Sequence, residues 1–202
     1  MSRSQRVVSP GCLLHVVNRG NDRRIVFPEP VDYGAFLGLL REARERFAVR
    51  LHAYCLMPNH FHLVLAASDL RALSAYMHFV QRGHACDLRA IAQTRGNGHV
   101  FQRRYWSNVI EGEGHLLCVL RYVEANPVRA RLVDRAEAWE WSSLYERQTG
   151  ERDLLHPLPI TLPTGWVTIV NIPLQAQDLG EIRTPKKMGR PARPVDLRKP
   201  KK

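Results

Sequence analysis

Residues 50–57 (RLHAYCLM) and 60–67 (HFHLVLAA) are two apolar runs of strand length separated only by Pro58-Asn59. Pro and Asn are turn formers, so this stretch is predicted to be a β-hairpin. An isolated hairpin is unstable in water, so the hairpin must be joined by further strands and a helical cover. The rest of the chain supplies them in a definite order. Residues 12–18 (CLLHVVN) read as a strand running into the turn-forming cluster Arg19-Gly20-Asn21-Asp22. Phe36, Leu39, Leu40, Ala43 and Phe47 recur at helical spacing within 31–48, with arginines and glutamates between them. Asp69 can cap a second helix reaching about Gln93, residues 100–111 read as one more strand, and residues 113–126 form a third helix that Pro127 is expected to end. A short helix follows in WEWSSLYERQ. The order strand, helix, hairpin, helix, strand, helix predicts an α+β fold, a ferredoxin-like antiparallel sheet with helices packed on one face and the histidines of the second hairpin run on a central strand.

The catalytic domain is expected over residues 1–147, followed by a Pro-rich extension over 148–182 and a basic tail, predicted to be disordered, over 183–202. The net charge of +11 points to a polyanionic partner, and its distribution is uneven. All five lysines lie in the tail, which carries nine basic residues against Asp196 alone, so the body is only mildly basic. The four cysteines are widely spaced, form no Cys-x-x-Cys pair and sit in apolar sequence that reads as core, which fits a reducing cytoplasm. No signal-peptide pattern and no membrane-length apolar run are present, so a cytoplasmic protein without membrane attachment is expected.

His60-Phe61-His62 is the sharpest chemical feature. A strand alternates faces at every residue, so both imidazoles point to one side and Phe61 to the other. Two neutral imidazoles side by side are half of a metal site. The same pair also reads as ordinary structure, with His60 joined to the turn at Asn59 and His62 half-buried. On the third helix Tyr122 and Asn126 are four residues apart and share a face. A tyrosine at a core edge and an asparagine near a helix end have an ordinary packing explanation too.

Five ordered blocks go further: HVVNRGNDRRIVF (15–27), LHAYCLMPNHFHLVL (51–65), FQRRYWSN (101–108), LRYVEANPVRARLV (120–133) and WEWSSL (139–144). Together they resemble the REP-associated tyrosine transposases, members of the single-tyrosine HUH nucleases, over roughly residues 10–147. The resemblance implies that Tyr122 is the nucleophile, that His60 and His62 are the metal pair, and that Asn126 stands where relatives place an amide third ligand, often Gln. It implies a divalent cofactor, Mg²⁺ or Mn²⁺, and a single-stranded DNA partner bearing REP-like hairpins, cleaved and rejoined through a 5′-phosphotyrosine. It also suggests a chain that acts as a monomer, with a dimer the other option. Glu124, between Tyr122 and Asn126, is expected to point elsewhere on the helix.

The residues themselves suggest how the strand is held. Arg19, Arg23 and Arg24 follow the first strand, and Arg103, Arg104 and Trp106 combine guanidinium with an aromatic ring on one segment, the usual means of pairing phosphates and stacking bases. Trp106 is equally compatible with core packing. Arg129 lies beyond the tyrosine, within reach of DNA near the cut, and Gly189-Arg190-Pro191 in the tail can lie in a duplex minor groove. Two other functions share these residues: a catalytically inactive, domesticated DNA- or RNA-binding module, and a hydrolytic metallonuclease that uses water in place of Tyr122. The tail is expected to add salt-sensitive affinity for the hairpin stem, so deleting residues 183–202 should flatten the dependence of DNA affinity on salt; an unchanged slope rejects that role.

Overall fold

In the computed structural model, which describes residues 11–91, 99–102 and 104–175, a central strand sorts its side chains into two separate cores. That strand, β3 (His60–Ala67), sends Phe61, Leu63, Leu65 and Ala67 into one core and Val64 into the other. It pairs with β2 (Val49–Met57) through the expected hairpin and with β1 (Leu13–Arg19), which in turn pairs with β4 (Trp106–Val109). All pairings are antiparallel, and the strand order is β2-β3-β1-β4. This is the ferredoxin-like order predicted from the chain.

Helix α1 (Pro30–Arg46) begins at a capping box, with the Glu29 amide donating to the Asp32 carboxylate at 2.8 Å and Pro30 in the first turn. Its Phe36, Leu37, Leu40 and Ala43 enter the first core beside Leu73, Tyr76, Met77 and Val80 of α2 (Leu70–Ile91). The predicted Asp69 cap of α2 is present, its carboxylate accepting from the Arg71 and Ala72 amides at 2.7 and 2.8 Å. At Gly83 an added Cβ would stand 2.6 Å from a Leu39 methyl, so this position lets the two helices approach.

Helix α3 (Gly112–Arg129) corrects one detail of the expected architecture. It covers the opposite face of the sheet, packing Leu116, Val119, Leu120 and Val123 against Ala53, Cys55 and Val64. Helices therefore lie on both faces. The reason is visible in the hairpin, where all but one residue of β2 and β3 is buried or half-buried, so each side needs a lid.

Two further expectations change. The strand predicted over 100–111 is regular only at Trp106–Val109, while Phe101 meets Gly20 in an isolated bridge. Three steps from Val17 to Gly20 face five from Trp106 to Phe101, so the second segment carries two residues more between the two contacts. Pro127 lies inside α3 and does not end it. Proline cannot donate to the Val123 carbonyl, but the Asn126 side-chain amide reaches that oxygen at 3.4 Å and the Tyr122 carbonyl at 2.9 Å, which relieves the missing bond. Of the four cysteines, all free thiols, only Cys55 is buried, and Cys86 is exposed on α2.

The chain after α3 closes both layers. The segments before and after helix α4 (Ser143–Thr149) both lie along the outer edge of β2, where the Leu56 amide donates to the Trp141 carbonyl and the His156 amide to the Leu51 carbonyl. The Pro-rich region contributes Leu154 to the first core and forms α5 (Trp166–Asn171), whose Trp166 and Val170 pack beneath α3. Glu124 holds these parts together. Its fully buried carboxylate accepts from Ser143 Oγ at 2.7 Å, Trp166 Nε1 at 2.7 Å and the Arg147 guanidinium. No helix among the described residues is long and apolar enough to cross a membrane.

Leaving the Arg147 charge and two donors without their acceptor should make Glu124→Ala cost about 3–5 kcal/mol in urea unfolding. Ser143→Ala, which removes one neutral donor, should cost about 1 kcal/mol. Equal, small losses would show that Glu124 does not organise this side of the molecule.

Candidate active site

On the α3 side of the sheet the apolar layer gives way to a patch of imidazoles. Residues paired across strands share a face, so Arg19 stands opposite His60, Val17 opposite His62 and Trp106, and His15 opposite Val64 and Asn108. His60 begins β3 directly after the turn, and its Nδ1 is 2.6 Å from the Asn59 side-chain oxygen. The turn contact read from the sequence is thus real, and it leaves Nε2 of His60 for another partner. His62 is deeply buried. Its Nδ1 meets His15 Nε2 at 3.0 Å, while its Nε2 is buried with no hydrogen-bond partner.

Tyr122 comes to this pair from α3. Its ring centroid is 5.5 Å from that of His62 at 86° and 6.0 Å from that of His15, and the His60 and His62 centroids are 5.0 Å apart. The Arg129 guanidinium lies 4.8 Å over the Tyr122 ring. Asn126, one turn on, is buried and donates its amide nitrogen to the Tyr122 carbonyl, so its side-chain oxygen faces the other way. Among the described residues no three of His, Cys, Asp and Glu are grouped to hold a metal ion. A divalent ion here would therefore rest on the two Nε2 atoms and need oxygen for its remaining positions, from the Asn126 amide, water or a phosphate. The orphaned nitrogen of His62 fits such a group.

Burial sets the electrostatics. It lowers His15 to about 3 and His60 to about 4, with smaller contributions from His115 and Arg19 respectively, and it holds His62 well below the ordinary histidine value, helped by His60, His15, Arg19 and Arg129. All three imidazoles are neutral at neutral pH and keep the lone pairs that a metal requires.

The structure brings together His60, His62, Tyr122, Arg19, Arg129 and Trp106. The last is half-buried on β4 with its ring edge-on to His15 at 5.8 Å. Arg23 and Arg24 are exposed in and just after a 3-10 turn at Asn21–Arg23, next to Asn59, whose side chain reaches the Arg23 carbonyl at 3.4 Å. Arg104 is exposed, two residues before β4. Arg103 and Arg190 lie outside the described residues. Glu124 points away from the imidazoles, as expected. The one residue that sequence reasoning missed is His15. Its signal was a lone imidazole in the middle of the apolar run LLHVV.

The chain belongs to the family of IS200-like transposases, whose profile matches residues 8–126. Among solved structures, the fold is shared by a REP-associated tyrosine transposase bound to a REP hairpin, with a TM-score of 0.59 at 16% identity over 81% of this chain and 96% of that one. A candidate transposase from Deinococcus radiodurans matches 61% of this chain and 96% of its own at 19% identity and a TM-score of 0.43. No curated protein matches.

Because these histidines take up protons far less readily folded than unfolded, the unfolded chain binds more protons below pH about 6.5. The stability they contribute is present above that pH and is lost as the pH falls through about 4 for His60 and about 3 for His15. In metal-free buffer the urea midpoint should drop between pH 7 and pH 5, as the unfolding free energy falls with a slope approaching ~1.4 kcal/mol per pH unit for each histidine. A midpoint that stays constant over this range contradicts a neutral, buried cluster.

Proposed function

We propose that this transposase is a divalent-metal-dependent endonuclease and strand transferase for single-stranded DNA, acting in the cytoplasm at palindromic, REP-like hairpins, with Tyr122 as its nucleophile. The observation that carries this reading is Tyr122 standing over His62, whose Nε2 is buried and unpartnered. His60 and His62 would hold Mg²⁺ or Mn²⁺, with the Asn126 side-chain oxygen as the third ligand, and the ion would supply charge neutralisation at the attacked phosphate. Family membership and the hairpin bound by the solved transposase of similar fold support the choice of substrate.

In the proposed reaction the Tyr122 oxygen bonds to phosphorus as the bond from phosphorus to the 3′-oxygen breaks. The phenolic proton leaves with the 3′-hydroxyl, and a 5′-phosphotyrosine remains. An incoming 3′-hydroxyl then attacks the same phosphorus, breaks its bond to the tyrosine and restores the phenol. The phosphodiester energy is kept throughout, so no nucleotide cofactor is needed. Arg129 against the Tyr122 ring and Arg19 beside His60 place two permanent cations around the reacting group. Trp106, with one edge on His15, offers its remaining surface to a base. Tyrosine and imidazoles come from one chain, which suits a monomeric active unit.

Hairpin-bearing single-stranded DNA incubated with the protein and Mn²⁺ should yield a covalent protein–DNA adduct on a denaturing gel. Tyr122→Phe should remove it by at least about 10³-fold, and His62→Ala by a comparable factor. Cleavage by Tyr122→Phe at the unaltered rate, with a free 5′-phosphate, would instead identify a hydrolytic nuclease. Tight binding with no cleavage by the native chain would identify a binding module.

A further inference from the structure

His15 lies outside the proposed nucleophile and ligand set, yet it touches three residues of the site, His62, Trp106 and Tyr122. Its ring meets that of His62 edge to edge and nearly coplanar, with centroids 5.2 Å apart at 18°, and Trp106 and Tyr122 stand at 5.8 and 6.0 Å, steeply inclined to it. The β1–β3 register makes the two histidines diagonal neighbours on one face, since His62 pairs with Val17, two residues beyond His15. Both are almost completely buried, at 2% and 3% exposure, so neither can exchange its partner for solvent. The core on this face is otherwise largely apolar, and Val64, directly opposite His15 across the strands, belongs to it. An apolar side chain would pack at position 15 as readily, and what the imidazole adds is one polar atom facing His62 Nδ1 at 3.0 Å.

We propose that His15 is a positioning residue: by accepting a hydrogen bond from His62 Nδ1–H, it fixes His62 in the tautomer whose Nε2 presents a lone pair to the metal. The proposal rests on the metal-dependent reading given above. A single proton lies between the two nitrogens, so two arrangements compete. If His15 Nε2 donated, His62 would accept at Nδ1 and carry its own proton on Nε2. That proton would be a buried donor without an acceptor, one of the costlier defects of a folded interior, and it would block ligation. If His62 donates, its Nε2 is a bare lone pair, and binding a cation satisfies it. Nδ1 of His15, which then carries the proton, is not among the buried nitrogens left without a partner. Fixing the tautomer and ring angle of a ligand through its other nitrogen is a general means of strengthening a metal site. The ring contacts to Trp106 and Tyr122 hold His15 itself in place.

The test uses the full chain in two measurements. A long-range proton–nitrogen correlation spectrum of the metal-free protein, assigned with His62→Ala, reads the tautomer without altering His15. The expected result is a proton on Nδ1 of His62; a proton on Nε2 overturns the proposal. Calorimetric titration with MnCl₂ in the absence of DNA then compares variants whose thermal unfolding confirms a folded state. His15→Phe should weaken Mn²⁺ binding by about 10- to 100-fold. His15→Gln, whose side-chain oxygen can accept the same bond, should restore most of the affinity and keep the Nδ1 proton. Native chain that binds Mn²⁺ no more tightly than His15→Phe overturns the role of His15 alone. Native chain that binds no Mn²⁺ overturns the metal reading, and the proposal with it.

Discussion

Alternation along β3 is the constraint on which the molecule depends. Phe61, Leu63, Leu65 and Ala67 fill the core under α1 and α2, while His60, His62 and Val64 face α3, so one strand serves at once as the centre of the hydrophobic core and the floor of the site. A slip of one residue would bury the imidazoles among phenylalanines and turn Leu63 and Leu65 toward the tyrosine. Pairing on both sides, with β1 and β2, prevents that slip. The rigidity of the site is therefore a consequence of the same pairings that hold the fold together.

The second face would be an apolar layer like the first were it not for His15, His60 and His62. Burying three imidazoles in this largely apolar layer keeps them uncharged and leaves one nitrogen of His62 without a partner. A buried polar atom with no partner destabilises the resting protein and is relieved by a ligand, so the site is prepared for a cation by its own surroundings. Helix α3 is fixed over this patch from behind. Glu124 ties it to Ser143, Arg147 and Trp166, while the amide of Asn126 carries the helix past Pro127, keeping Tyr122 and Arg129 on one continuous element.

Residues after 147 show how a region poor in regular pattern still enters the structure. Leu154 completes the core beneath α1, Glu146 accepts from the Leu154 and Leu155 amides while taking the Tyr54 hydroxyl, and Arg121 donates to the Ile169 and Ile172 carbonyls at the end of α5. These bonds join segments that no short-range periodicity relates. Prolines spaced through 157–173 mask the brief helix at Trp166–Asn171, since its six residues give too few turns for an apolar stripe to be recognised.

The hairpin, the helices with strong apolar stripes, the shared face of His60 and His62 and that of Tyr122 and Asn126 were all legible in the residues, because a period of 2 or 3.6 belongs to the local backbone. The strand at 100–111 was read too long, because its end depends on where β1 turns away at Gly20, a fact about another part of the chain. The same holds for the face on which α3 lies, for the meeting of Glu124 with Arg147 and Trp166, and for the contact of His15 with His62 across 47 residues. Sequence by itself determined which side chains could act together within one strand or one helix. Only tertiary packing decided which of those elements face each other, because that choice is made by surfaces that come into being only when the chain has folded.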